Sequence, residues 1–396
     1  MVSIILRKTL RQAVCLWCSA ALLVSCGGGV DSGGTGSYVA GPITGYGSIV
    51  VGGVHYDESQ ADVRDEFGVA GTPADLQLGM FTEIQASAPM GTADAPTATA
   101  SSVRYRSEIV GPVETIDAPT LTFRTLGLNV KVGASTVFDS TLAGGLTALQ
   151  VGDVVEVFGQ FDALLHRYTA TRVQRKTGAA SYKLRGLVTG LDTVAKTLVI
   201  GGQTTIGYGG VASLPALALG QTLRVRLQTT KSGSVWVATS VDVGVSPVPD
   251  RDNIEVEGRI TAFTSITRFD VDGTPVTTDA ATLFPSGSSG VVLGAHVEIK
   301  GVSRNGTLIA SKVNVNNDSR PEDFELSGNI TALDSATQTF VLHRALRSFT
   351  VHYSGTTRFE GITSASDLRD GREAEVRGVL SSDGTKLDAS FIHVEL

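Results

Sequence analysis

Apolar and polar residues alternate in short runs along this chain, and one such run recurs. Val151-Gly-Asp-Val-Val-Glu-Val-Phe-Gly159 has counterparts opening at Gly79, Gly220, Gly294 and Gly371. At the third and fifth positions after the glycine stand Thr82 and Ile84, Val155 and Val157, Leu223 and Val225, Val297 and Ile299, and Ala374 and Val376. The residue between them is charged each time: Glu83, Glu156, Arg224, Glu298 or Glu375. Period-two alternation of this kind is a strand with one buried and one wet face.

A second signature precedes each run: Gly41-Pro-Ile, Gly111-Pro-Val, Gly186-Leu-Val, Gly258-Arg-Ile and Gly328-Asn-Ile, with successive glycines 70, 75, 72 and 70 residues apart. That period is a domain repeat rather than a solenoid unit. Aligning the copies gives a strand at the leading glycine, then a second strand such as Thr120-Leu-Thr-Phe123 or Thr197-Leu-Val-Ile200. A third carries Thr136-Val-Phe138, Thr282-Leu-Phe284 or Thr357-Arg-Phe359. Next comes a leucine three residues before the repeat glycine (Leu76, Leu149, Leu217, Leu368, with Val291 in the fourth copy), which suits a helical turn plugging a barrel end. The run with the central charge is the fourth strand. The fifth is Thr169-Ala-Thr-Arg-Val173, Ala310-Ser-Lys-Val313 or Ala389-Ser-Phe-Ile392. The predicted fold class is therefore all-β, a tandem array of five small OB-like β-barrels. The expected copies are 40–107, 108–180, 181–250, 251–321 and 322–396, joined by short polar linkers. Gly159, Gly301 and Gly378 close the fourth strand where a barrel strand must bend.

The amino terminus adds a location. Arg7, Lys8 and Arg11 precede an apolar run from Ala13 to Val24, too short for a bilayer span of about 20 residues and typical of a secretory leader. Leu23-Val24-Ser25-Cys26-Gly27 resembles the lipobox of bacterial lipoproteins. The resemblance implies a signal peptide over 1–25, lipid attachment at Cys26, and a glycine- and serine-rich tether over 26–39; the alternative is an ordinary cleaved leader with a coincidental cysteine. Gly27 is not the aspartate that favours the inner membrane, so the implied site is the outer membrane, periplasmic or surface-exposed. Cys15 and Cys18 leave with the leader, so no disulfide is possible within the mature chain. Its formal charge becomes -7 - 3 = -10, which argues against nucleic acid as a partner.

Candidate chemistry is thin. The repeated Glu83, Glu156, Glu298 and Glu375 read either as a carboxylate ladder for a cation or as the wet face of a strand, and alternation favours the second. Asp270-Val-Asp-Gly273 begins like a calcium loop but has Ala281 where a bidentate glutamate belongs, so a hairpin turn is expected, as at Asp383-Gly384. His343 and His352 could face each other with Glu360 as a metal site, but isolated strand histidines explain them equally. Tyr105, Tyr168, Tyr182 and Trp236 are the sparse candidates for a ligand platform, with core packing the default. No catalytic, metal or cofactor residues are assigned.

The pattern in Ser327-Gly-Asn-Ile-Thr-Ala-Leu-Asp334, Phe340-Val-Leu342 and Asp367-Leu-Arg-Asp-Gly-Arg-Glu-Ala-Glu-Val-Arg-Gly378 is similar to the bacterial domain-of-unknown-function family numbered 5666. So is Ala40-Gly-Pro-Ile-Thr-Gly-Tyr-Gly-Ser-Ile-Val-Val-Gly-Gly-Val54. The resemblance implies secreted proteins and lipoproteins with several copies, and carries over no catalytic residues. The third copy departs most, with Arg224 for glutamate and no glycine closing its fourth strand. The expected function is a non-catalytic, lipid-anchored binding or spacer array, its partner an envelope protein or a glycan; the alternative is a glycan- or peptidoglycan-binding protein, expected to show aromatics at equivalent positions of the copies.

Overall fold

A computed structural model describes residues 34–92, 95–317, 323–344, 347–381 and 386–395. The leader and Cys26 lie outside the described residues, as do Asp383 and Gly384. The described chain is strand and turn throughout, with only short 3-10 turns beside them.

Strand pairing closes small rings. In the second copy Ile109–Asp117, Thr122–Thr125, Leu128–Lys131, Val154–Asp162 and Arg167–Arg175 pair in the order 1-2-3-5-4 and back to 1, strands 3 and 5 being parallel. The same order closes Tyr182–Asp192, Thr197–Ile200, Thr204–Gly207, Thr222–Ser232 and Val235–Val243. It closes Arg251–Ser265 to Thr307–Val315, and Phe324–Asp334 to Lys386–Val394. In the first copy strand 1 is broken: Gly34–Pro42 pairs with strand 4, Phe81–Ala86, and its continuation Gly45–Tyr46 pairs with strand 2, Ile49–Val51. Val54–Asp57 and Ala95–Arg106 complete that ring.

The recurring residues now have causes. Thr82, Ile84, Val155, Val157, Leu223, Val225, Val297, Ile299, Ala374 and Val376 are all at most 1% exposed. Burying each aliphatic side chain contributes about 1.5–3 kcal/mol. The glycine opening each fourth strand has φ between 77° and 95° (Gly79, Gly152, Gly220, Gly294, Gly371), a left-handed turn that other residues adopt only with strain. Gly159, Gly301 and Gly378 each sit at a register shift between strands 4 and 5, where a Cβ would overlap the carbonyl oxygen of Thr169, Ile309 or Asp388. The third-strand threonine is a clamp: Thr136, Thr282 and Thr357 donate from Oγ1 to the carbonyls of Ala170, Ala310 and Ala389 on strand 5, at 2.7, 2.8 and 2.7 Å.

The expected plug is real in three copies as a single 3-10 turn (Pro73–Asp75, Gly145–Ala148, Ala365–Asp367) that sets Leu76, Leu149 and Leu368 into the core. In the fourth copy Val291 is buried without a helical turn, and in the third Leu217 is only half-buried.

Two expectations change. Strand pairing starts at Gly34, inside the stretch expected to be tether; Tyr38 and Val39 are buried there. The copies, expected to sit close together on short linkers with limited contacts, are docked into one compact unit that begins at Gly34. First strands dock on first strands: Ser37–Ala40 runs parallel to Asn253–Val256, Gly45 and Tyr46 pair with Glu325 and Leu326, and Lys183 and Leu184 pair with Val110 and Ile109. The apolar interiors consequently merge, one core running through the first and fifth rings and another through the second and third.

Candidate functional site

The docked first strands bring charged residues into the middle of the body. Arg106, ending the first ring, donates to Glu108 and to Asp272 of the fourth ring's hairpin. Arg185 of the third ring donates to the same two carboxylates at 3.0 Å each and to the Gly244 carbonyl at 2.6 Å. Arg106, Glu108 and Arg185 are buried, and Asp272 is 14% exposed. Two guanidiniums thus share two carboxylates, and a third, Glu83, stands 3.7 Å from Arg106 Nε. Burial alone would raise the Asp272 carboxyl, but the two arginines outweigh it and hold the group below the ordinary carboxylate range. Beside it, Lys183 donates to Glu66 and Ser107, and Ser107 donates to Glu156 at 2.8 Å.

The repeated acidic position therefore splits. Glu156 is buried and Glu83 has a side chain 12% exposed facing Arg106, whereas Glu298 and Glu375 are 25% and 30% exposed beside Lys300 and Arg377. The wet-face reading fails for the first two because neighbouring rings cover that face. The histidines do not converge. His343 is opposite Ser348 and His352 opposite Thr339; His352 bonds Asp388 at 2.9 Å, and Glu360 lies elsewhere beside Arg358. Asp270–Gly273 is the expected hairpin turn, though its Asp272 is buried between rings. Trp236 and Tyr168 are core residues, Trp236 packing edge-on to Tyr182 at 5.7 Å.

Ring-to-ring docking also leaves grooves. One of about 670 Å³ lies between the second and fourth rings beside Glu257, Arg259 and His296; there His296 Nε2 is 2.9 Å from Glu257. Another, of about 650 Å³, opens where the first, second and fifth rings meet. Three aromatic side chains from three different copies line it, Tyr46, Phe138 and Phe349, with Leu326 and Leu342. Charged groups of both signs stand among them, Arg172 and Arg344 with Glu58 and Asp139, beside Gln77 and Ser327. Tyr46 is fixed by donating to Gln77 Oε1 and accepting from the Leu78 amide, both at 2.9 Å.

Arg172 is the distinctive member. It projects from strand 5 of the second ring and is 7% exposed. Its Nη1 donates to the Leu78 carbonyl at 3.2 Å and its Nε to Gln174 Oε1 at 3.0 Å, both neutral acceptors. Burial pushes this guanidinium below its ordinary pKa. Asp139, the nearby acid, has both oxygens engaged, Oδ1 by Thr141 and Oδ2 by the Arg175 amide at 2.6 Å.

None of these groove residues stood out in the sequence as a site. Tyr46 falls in a glycine-rich hairpin, Phe138 and Phe349 sit in ordinary third strands, and Arg172 occupies an alternating strand where a charge reads as solvated. Only the meeting of copies brings them into one groove.

No curated protein matches the chain. A family model described as domain of unknown function (DUF5666) matches residues 110–174, 257–314 and 327–393, which are the second, fourth and fifth rings. The first and third rings, with a broken strand 1 and with Arg224 at the acidic position, lie outside those matches. The second, fourth and fifth rings are thus similar to the DUF5666 domain, as tandem copies of it.

Proposed function

We propose that this protein is a non-catalytic, lipid-anchored component of the bacterial cell envelope that binds a ligand or partner through grooves formed between its barrels. The observation that carries the reading is the docking of first strands on first strands, which turns repeated domains into one body whose grooves each draw residues from several copies. A spacer would be served by copies strung end to end; a body with merged cores suits recognition instead. Cys26 supplies the anchor, since several acyl chains on one residue hold a membrane stably where one holds marginally.

Metabolic labelling with a palmitate analogue tests the anchor. The full chain should incorporate label and fractionate with membranes, and Cys26→Ser should do neither; an unlabelled native chain would remove the location. Capture of envelope material by the full chain, repeated with groove substitutions, tests the binding half. Capture indifferent to every groove substitution would show that the grooves are not the binding face.

A further inference from the structure

The first ring meets the fourth and fifth partly through one hairpin, Ile49–Val51 turning into Val54–Asp57, and the strand end that leads to it. Gly45 pairs with Glu325, and the Glu325 amide donates to the Thr44 carbonyl at 3.0 Å. Glycine is what lets the rings approach here: a Cβ at Gly45 would overlap the Glu325 carbonyl oxygen, one at Gly47 the Ser327 hydroxyl, and one at Gly52 the Glu255 carboxylate. Glu255 and Glu325 are repeat-equivalent, each three residues before the leading glycine of its copy, Gly258 or Gly328. One hairpin thus takes an acid from each of two rings.

The two acids sit in different company. His55 Nε2 stands 2.7 Å from Glu325 Oε1 across the seam, while Arg377, on the fifth ring itself, is 3.1 Å from Oε2 and 3.0 Å from Glu375. Val50 and Thr97, the residues paired with His55 on either side, are uncharged, and Ser48 Oγ lies 3.3 Å from its Nδ1. The nearby hairpin acids are engaged, Glu58 by the Ile49 amide at 3.2 Å and Asp57 by the Ser59 amide at 3.0 Å. The Glu325 carboxylate raises the His55 imidazole above its ordinary value, against the opposing effect of burial. Glu255 has Lys300 at 2.9 Å from Oε2, Glu298 and Glu257 beside it on its own ring, and Tyr56 of the hairpin facing it; its Oε1 is buried without a hydrogen-bond partner. Burial pushes that carboxyl up to about 7. Both groups therefore favour their protonated forms when the rings are docked. The contribution of His55 is complete below about pH 6.5 and that of Glu255 below about pH 4.3, and each is lost as pH rises through the folded value. Burial alone would raise Glu325, but His55 and Arg377 hold it low, so its own contribution fails only as pH falls through that depressed value.

We propose that this hairpin is a pH-operated latch on the groove between the first, second and fifth rings: it holds the fourth and fifth rings in mild acid and is loosened as pH rises through neutrality, when His55 loses its charge and Glu255 gains one. The inference rests on the binding reading above and gives that groove its regulation. Tyr46 and Gly47 on one side of the seam and Leu326 and Ser327 on the other all line the groove, so a shift of the seam reshapes it. After the change Glu325 keeps only the charge partner of its own ring, Arg377, and Glu255 carries a charge with one oxygen pressed against Gly52 and no donor for it. Two groups on one hairpin thus act with the same sign, which is how protonation moves an interface between packed elements.

Hydrogen exchange of the full chain in its Cys26→Ser form, read by mass spectrometry between about pH 5.5 and about pH 8.5 and divided by the intrinsic rate at each pH, tests the latch. An imidazole NMR titration supplies the His55 midpoint. Protection of residues 324–328 should fall across that range by at least about tenfold for each unit by which the measured midpoint exceeds about 6.5, while Thr197–Ile200 of the third ring changes little. His55→Gln should flatten the profile at 324–328, and Glu255→Gln the profile at 253–256. The native profile needs no substitution, so the test holds even where a variant fails to fold. Protection at 324–328 that is constant with pH, that falls in step with the third ring, or that falls equally in His55→Gln would overturn the latch, as would a His55 midpoint at or below about 6.5. Groove-dependent capture of envelope material would survive each of those results, and the seam titrates without any ligand, so the binding reading and this regulation fail separately.

Discussion

Asp272→Asn should show whether the central charge cluster holds the rings together. Asp272 sits at φ 51° in the hairpin of the fourth ring, and asparagine tolerates that backbone and keeps the side chain's shape, so the substitution removes charge and little else. What it removes is one of the two carboxylates that Arg106 and Arg185 share, leaving Glu108 between the two buried guanidiniums with Glu83 3.7 Å from Arg106. Breaking a buried pair by deleting one partner costs about 3–5 kcal/mol. With the amide oxygen still able to accept one hydrogen bond, the lower end, about 3 kcal/mol, is expected. Urea unfolding followed by Trp236 fluorescence reads the third ring directly, and circular dichroism reads all rings. Asp62→Asn is the control, since its carboxylate is 56% exposed beside a surface Arg64 and such pairs contribute about 0–1 kcal/mol. The sign with pH is fixed: a carboxyl held below its ordinary value supplies stability that is complete above about pH 3.9 and lost as pH falls through its depressed folded value. The gap between native and Asp272→Asn should therefore close in acid. A loss under about 1 kcal/mol at pH 7, or one no larger than that of the Asp62 control, would refute the idea that this cluster binds the rings.

Three further outcomes follow from the barrels themselves. Gly301→Ala forces a Cβ onto the Ile309 carbonyl at the fourth-strand bulge and should cost about 1–3 kcal/mol in chemical unfolding, while Gly133→Ala, with open space around it, should change little. Thr282→Val keeps the volume but strips the Ala310 carbonyl of its donor at 2.8 Å and should cost about 1–3 kcal/mol; an unchanged melting curve would dismiss the clamp. Glu255 has its carboxyl pushed up to about 7 by burial, against the opposing Lys300 ammonium at 2.9 Å. A group raised in the folded state contributes stability present below about pH 4.3 and lost as pH rises through about 7, so a carbon-detected titration should place its midpoint near neutrality, and one below 5 would sink the assignment.

The repeat unit was legible because each of its signatures answers a local demand. A left-handed turn needs Gly152 or Gly371, a bulge needs Gly159 or Gly378, and two-faced alternation marks Val155 and Val157 as core. What joins the copies left no such mark. First-strand docking works mainly through backbone groups, which every residue carries, so nothing in Tyr38-Val39-Ala40 announces a partner at Ile254–Val256. The same blindness covers charge: Glu156 and Glu298 occupy equivalent places in the pattern, yet only the first is sealed under a neighbouring ring. Arg172 and Asp272 were hidden for that reason, each in a segment whose local grammar reads as solvated strand or turn.

The pairing of Gly34–Pro42 with a strand more than two hundred residues downstream has a consequence for how the protein is made. A chain made amino terminus first completes its opening strand long before residues 251–256 and 325–326 arrive to cover it. Until then an unpaired strand edge stands open, the kind of template on which other chains aggregate. Chains cut short after the third ring would keep that edge permanently, which makes the last two rings the step that finishes the first.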